Sequence, residues 1–336
     1  MSLKLLCSPE KISGSSWNNL LHSSTTANFF HTKEAFEFYK NANVDEPFFF
    51  AVSENNNLVG LLIGLILKEK GIQSFFSRRA ICFGGPVLDD SISDFALKSL
   101  LNFSVHSLRK QAIYIEFRNF NDYERFKPVF AAAGFEYRPH LNFHVDCTNR
   151  NDMEKRVSNS KLRQVRKSLK QGAEIIEATT KEQVKQFYLI LKELYETRVK
   201  TPLLPESIFV KFFEQNVGRY LLIRYNNEII GGIMCPILDS RVIYEWFVCG
   251  KDRLYNNIYP SILATWAAMD FANRNGIARF DFMGAGSPEE YYGVRDFKAK
   301  FGGDLVEHGR FRLVNKKVLY KIGKIAVNFR KKRSAK

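Results

Sequence analysis

The chain has 336 residues, 45% of them hydrophobic and 14% aromatic, with thirty Phe, which is material for two packed cores and excludes a disordered polypeptide. Fifty Lys and Arg against thirty-five Asp and Glu leave a formal charge of +15, which favours polyanionic partners such as RNA, anionic head groups or phosphorylated substrates. Five cysteines without CxxC spacing and six histidines without an HxxxH pair argue against a disulfide framework and a metal site. The longest apolar run, LVGLLIGLIL at 58–67, is about half a membrane span and reads as strand. The opening residues lack a signal pattern, so a cytoplasmic protein without a transmembrane segment is expected.

In chain order, a helix is predicted over 33–42. A strand PFFFAVSE then turns at Asn55–Asn57 into the strand LVGLLIGLILKE. An irregular stretch, CFGGPVLDD, precedes a helix at 91–110, the strand AIYIEFR, a helix at 121–133 and strands around 135–147. The second half opens with a basic helix at 152–171, whose Lys161, Arg163, Arg166, Lys167 and Lys170 spread around most of its circumference. Strand AEIIEA, helices 181–199 and 206–216, and strand RYLLIRY follow. An Asn226–Asn227 turn leads to EIIGGIMCPIL and RVIYEWFVC. A helix at 257–275, strand ARFDFM, loop GAGSPEE, a helix at 290–300, a closing strand 304–314 and a basic terminal helix complete the pass.

The halves repeat. Gly60 aligns with Gly231, Phe126 with Phe297 and Lys127 with Lys298, each at an offset of 171, and YIEFR matches RFDFM with Glu116 on Asp281. A tandem duplication of two α/β domains follows, each a mixed sheet flanked by helices, spanning 1–150 and 151–315, with a basic tail at 316–336. Rossmann and Walker fingerprints are missing.

Several segments together carry a resemblance: FFHTKEAFEFYK, CFGGPVLDD, KLRQVRKSLKQGAEI, YETRVK and, most specifically, SILATWAAMDFANRNGIARFDFMGAG followed by YGVRDFKAKFGGD. They resemble the FemAB-like, Fem-type aminoacyltransferases of the GNAT superfamily. The resemblance implies two GNAT-like domains and transfer of an aminoacyl group from charged tRNA to an amine of a lipid-linked or nucleotide-linked cell-wall precursor. Broader relatives use acyl-CoA, and the alternative reading is acyl-CoA-dependent N-acylation of an amino sugar or polysaccharide precursor. A non-catalytic RNA- or glycan-binding module is the alternative from another class. The stretch CGKDRLYNNIYPSIL lacks the Gly-x-Gly turn with which an acyl-CoA enzyme cradles pyrophosphate.

Acyl transfer to an amine needs a stabilised oxyanion and a route for the amine proton. By resemblance, Lys298 and Phe297 serve the oxyanion and Asp281 orients Lys298 or the amine. On residue pattern alone, Phe297 and Phe301 are helix-core residues, Lys298 faces solvent and Asp281 caps the loop. Tyr244, Glu245 and Trp246 lie on a strand, with Tyr244 either a substrate group or packing. Lys40 and Arg198 match positions that contact the diphosphate or carboxylate of the precursor, and Tyr292 and Arg295 line the approach to Lys298. Arg163, Arg166 and Lys167 are tRNA- or anion-contacting candidates. The tail, with Ile322, Ile325, Val327 and Phe329 among basic residues, suits peripheral contact with an anionic membrane. No covalently bound cofactor is implied. Lys127 is read as a surface residue, since Pro128 falls within the first copy's helix.

Overall fold

The computed structural model describes residues 2–42, 46–68, 77–323 and 325. The chain forms two compact units, Met1–Pro139 with His308–Lys336, and His140–Glu307. The first unit's sheet runs, in spatial order, Leu3–Leu6, Glu46–Glu54, Asn57–Leu67, Arg79–Gly84, Tyr114–Asn119, Arg310–Val314 and Glu136–Arg138, with Val87–Leu88 also paired to Asn57–Leu67. The second runs Glu174–Glu177, Gly218–Tyr225, Glu228–Leu238, Val242–Tyr244, Arg279–Asp281, Leu141–Asp146 and Asp304–Glu307, with Phe247–Gly250 paired to Glu228–Leu238. The orders correspond strand for strand. In each, one neighbouring pair is parallel: Arg79–Gly84 with Tyr114–Asn119, and Val242–Tyr244 with Arg279–Asp281. The fold is therefore a mixed α/β tandem of two sheets of one design.

Local chemistry explains the match. Each long hairpin turns on two left-handed asparagines, Asn55 and Asn56 (φ 50° and 67°) and Asn226 and Asn227 (φ 48° and 64°), the residue type that tolerates a two-residue hairpin turn. Each hairpin also shifts register at the same place, between Val52 and Ser53 and between Ile223 and Arg224. The helix Asp94–Leu108, capped by Ser93 on the Ala96 amide, buries Leu97, Leu100 and Leu101 in the first core. Pro260–Arg274 buries Leu263, Ala264, Ala267 and Ala268 in the second.

Several elements differ from their sequence expectation. The closing strand 304–314 is two strands: Asp304–Glu307 pairs with Leu141–Asp146 in the second sheet, and Arg310–Val314 pairs with Tyr114–Asn119 in the first. Gly309, at φ 63°, separates them. Each sheet thus takes a strand from outside its own repeat, and the division at 150 and 315 moves to 139 and 307. The helix at 121–133 is a 3-10 turn, Glu124–Phe126, followed by Lys127–Ala132, so Pro128 stands in the first turn, where no amide is needed. The basic stretch 152–171 is two helices, Arg150–Arg156 and Asn159–Lys170. Its cations do not ring the second helix: Lys161, Val165 and Ser168 are buried, while Arg163, Arg166, Lys167 and Lys170 share the exposed side. At the tail, residues 317–323 are helical, and Val327 and Phe329 lie outside the described residues.

Candidate active site

In α/β sheets, ligands bind beyond the carboxyl ends of the parallel strands. In the second unit these are the ends of Val242–Tyr244 and Arg279–Asp281, where Tyr244 and Asp281 stand side by side in register. Strand alternation sends Phe280 and Phe282 into the core and Asp281 to the other face, where it is fully buried. Its Oδ1 accepts from Asn142 Nδ2 and from the Met283 amide, both at 2.7 Å, and its Oδ2 lies 3.1 Å from His144 Nε2. Burial pushes the Asp281 carboxyl upward, but His144, Arg279 and Asn142 outweigh it and hold the group below its usual range.

Lys298 projects from the helix Gly293–Ala299 and is buried at 9% exposure, although charge alone would send it to solvent. Its ammonium donates to the carbonyls of Phe282 (2.8 Å) and Gly284 (2.9 Å) and lies 3.0 Å from Glu245 Oε1. Glu245, immediately after the strand Val242–Tyr244, has its carboxylate buried and takes a long bond from Thr265 Oγ1 at 3.5 Å. Burial raises the Glu245 carboxyl above its usual range, against the opposing pull of Lys298.

Between Asp281 and the Lys298 helix runs the loop from Phe282 to Gly286, with Met283, Gly284 and Gly286 all at positive φ (56°, 131° and 83°). Arg295 donates from Nε to the Ala285 carbonyl at 2.9 Å, and from Nη2 to the carbonyls of Ser287 and of Glu290 (3.0 Å for the latter). Tyr292, exposed, precedes the same helix, and its ring lies where a side chain at Gly286 would go. Phe297 is half-buried, 5.3 Å from Phe301 between ring centroids. Behind it, Gly302 has φ 81° and sits so close to the Arg156 backbone that a Cβ would strike the carbonyl. Gly302, the first of the glycine pair after the Phe-Lys segment, is therefore a packing requirement.

The structure thus gathers Lys298, Asp281, Tyr292 and Arg295 around one loop, while Phe297 packs on Phe301 and Lys161 and Tyr244 is fully buried on the strand beside Asp281. The other candidates stand on other elements. Lys40 belongs to the first unit, on the helix Lys33–Ala42, exposed over the Phe36 ring and 3.6 Å from Glu37. Arg198 is exposed on the π-helical turn Tyr195–Val199. Arg163, Arg166 and Lys167 lie on the exposed side of Asn159–Lys170.

Four neighbours escaped the sequence reading: the part played by Glu245, and the presence of His144, Asn142 and Lys161. A carboxylate inside VIYEWFV was the available signal, because a buried charge calls for a partner. Lys161 is buried with its ammonium 4.1 Å from the Phe297 centroid, and burial lowers it to about 8.

Residues 230–328 match the model of the FemAB family, and the chain is FemAB-like over this stretch. The fold is similar to the crystal structure of FemX, with 15% identity, 96% of this chain and 99% of that chain covered, and a TM-score of 0.71. It is also similar to a tandem GNAT protein from the clavulanic acid biosynthesis pathway (11% identity, 94% and 99% covered, TM-score 0.58). A third likeness is to L-PGS from Bacillus licheniformis (11%, 93% and 96%, 0.58). The comparison with curated proteins returned no match. Family segment and tandem GNAT-like fold together support an acyltransferase. Among the described residues, no helix is long and apolar enough to cross a membrane.

Proposed function

We propose that this protein is an N-acyltransferase of FemAB type that transfers an aminoacyl group from aminoacyl-tRNA to an amine of a peptidoglycan or related cell-wall precursor, in the cytoplasm. The amine nitrogen bonds to the ester carbonyl carbon, the ester C–O bond breaks, and the amine proton leaves with the tRNA hydroxyl. Phe297, Lys298 and Asp281 belong to the reaction centre in this reading, with Tyr244, Tyr292 and Arg295 around it. Lys40 and Arg198 are assigned to the anionic groups of the precursor.

One observation favours tRNA over acyl-CoA as donor. An acyl-CoA pyrophosphate would use the amino end of a helix such as Pro260–Arg274. There Asp252 already accepts from the Ser261 amide at 2.9 Å and from its hydroxyl at 2.5 Å. The chain's own carboxylate fills the anion position and repels a second anion. The exposed side of Asn159–Lys170 adds support: Arg163, Arg166, Lys167 and Lys170 form no ion pair among the described residues, and the helix contains no carboxylate. Like charges three and four residues apart repel, and an RNA backbone relieves this.

The test is incubation with bulk aminoacyl-tRNA or, separately, with acyl-CoA, each with a mixture of wall precursors, followed by mass analysis of the acceptor. An aminoacyl mass increment that requires charged tRNA is expected. Acylation from acyl-CoA alone, or consumption of neither donor, overturns the reading.

A further inference from the structure

We infer that Glu245 and Lys298 are a positioning pair, which fixes the loop Phe282–Gly286 at the carboxyl ends of the parallel strands and acts on the reaction through that loop. The inference rests on the acyltransferase reading only where turnover is measured.

An ammonium has three N–H donors and no acceptor. Lys298 meets three protein acceptors: the Phe282 carbonyl, the Gly284 carbonyl and Glu245 Oε1, at 2.8, 2.9 and 3.0 Å. A substrate oxygen would have to displace one of them and leave a buried acceptor unsatisfied. The two carbonyls flank Met283, a non-glycine residue in left-handed conformation, which persists only where its surroundings enforce it.

The loop's amides are held as firmly as its carbonyls. Met283 N donates to Asp281 Oδ1 and Gly284 N to Asn142 Oδ1, both at 2.7 Å. Ala285 N donates to the Leu141 carbonyl at 2.6 Å, and Leu141 N to the Gly286 carbonyl at 2.8 Å. Arg295, three residues before Lys298 on the same helix, ties down the Ala285 and Glu290 carbonyls. Two cations of one short helix therefore donate to carbonyls of this loop, Lys298 to Phe282 and Gly284 and Arg295 to Ala285. Glu245 completes the set: a buried ammonium needs a counter-charge, and the Glu245 carboxylate supplies it within ion-pair distance. The amides of Met283 and Gly284 are already engaged, so they serve the shape of the site and are not a vacant oxyanion hole.

The test uses the full chain with Lys298→Met, Glu245→Gln and the double variant Lys298→Met/Glu245→Leu. The double variant removes both charges, so no lone buried ion remains to unfold the protein. Amide hydrogen exchange over Met283–Gly286 is read beside thermal stability. Exchange there is expected to rise about tenfold or more in Lys298→Met and in the double variant, with thermal stability partly regained in the latter, and to rise less in Glu245→Gln. Wild-type exchange over the loop in the double variant overturns the inference. With a donor and acceptor that turn over, kcat is expected to fall in step with loop exchange, while KM stays within about threefold. Loss of turnover in Lys298→Met with an unchanged loop overturns it in favour of substrate contact. If no donor is consumed, the proposed function fails, while the exchange measurement still decides the pair.

Discussion

Asp281 and His144 face one another across an antiparallel strand pair, with Oδ2 and Nε2 3.1 Å apart. The repeat places Glu116 at the corresponding position of the first sheet, opposite Arg312 on Arg310–Val314. In both units a buried acid on the parallel strand is answered by a base on the strand taken from outside its own repeat. Glu116 has three arginine neighbours: Arg118 at 2.9 Å, Arg310 at 3.4 Å, and Arg312. Asp281 has one histidine and two hydrogen-bond donors in contact, with Arg279 acting on it from the same strand, so fewer cations touch the second acid.

Asp281→Ala is expected to destabilise the second unit by about 3–5 kcal/mol, because it leaves His144, Asn142 and the Met283 amide without their shared acceptor. Denaturant unfolding checks this. A loss below about 1 kcal/mol would contradict the network.

Stability should fall on acidification in two stages. Burial holds folded His31 down to about 3, against an ordinary value of 6.5. The folded state therefore binds fewer protons there than the unfolded state, and stability is lost as pH falls from 6.5 toward 3. For Glu116, burial is outweighed by Arg118, Arg310 and Arg312, which hold it at about 2 against 4.5, so its contribution is lost as pH falls from 4.5 toward 2. His31→Gln should flatten the dependence of the urea midpoint between pH 6.5 and 4.5. An unchanged slope in that window counts against the assignment.

Lys127 is the internal control for Lys298. It lies beside Glu124 and over the Tyr137 ring at 4.0 Å, half-buried at the surface of the first unit. Lys127→Ala should change stability by no more than about 1 kcal/mol and leave turnover at wild-type level. Lys298→Ala should reduce both. Equal effects at the two positions, measured side by side, would remove the distinction.

Replacing Arg163, Arg166 and Lys167 together with Gln should lower the slope of log affinity against log salt for tRNA by about 2, at roughly 0.7–0.9 for each phosphate that is no longer neutralised. Fluorescence anisotropy over a salt series reads this directly. An unchanged slope would place the RNA on another surface.

Gly302→Ala should destabilise by at least about 1–2 kcal/mol, since it combines a positive φ with a collision against the Arg156 carbonyl. Thermal unfolding tests it, and a neutral outcome would mean that the segment after the Phe-Lys helix shifts freely.

Much of this protein was legible from the chain alone. Paired asparagine turns, equal offsets and repeated strand patterns determined two sheets of one design, because hairpin registers follow from local turn chemistry and alternation. The Phe-Asp-Phe strand already implied that Asp281 leaves the core face. What only the tertiary structure decided is long-range: that 141–146 and 310–314 trade sheets, that Lys161 sits under Phe297, and that the Lys298 ammonium lies on Glu245 and two loop carbonyls. A lysine's burial depends on acceptors that come from other elements, here a residue at a strand end and a left-handed loop. Spacing along one helix carries no record of them. The sequence therefore marked Lys298 as important, and the fold directed its charge inward, to the loop that shapes the site.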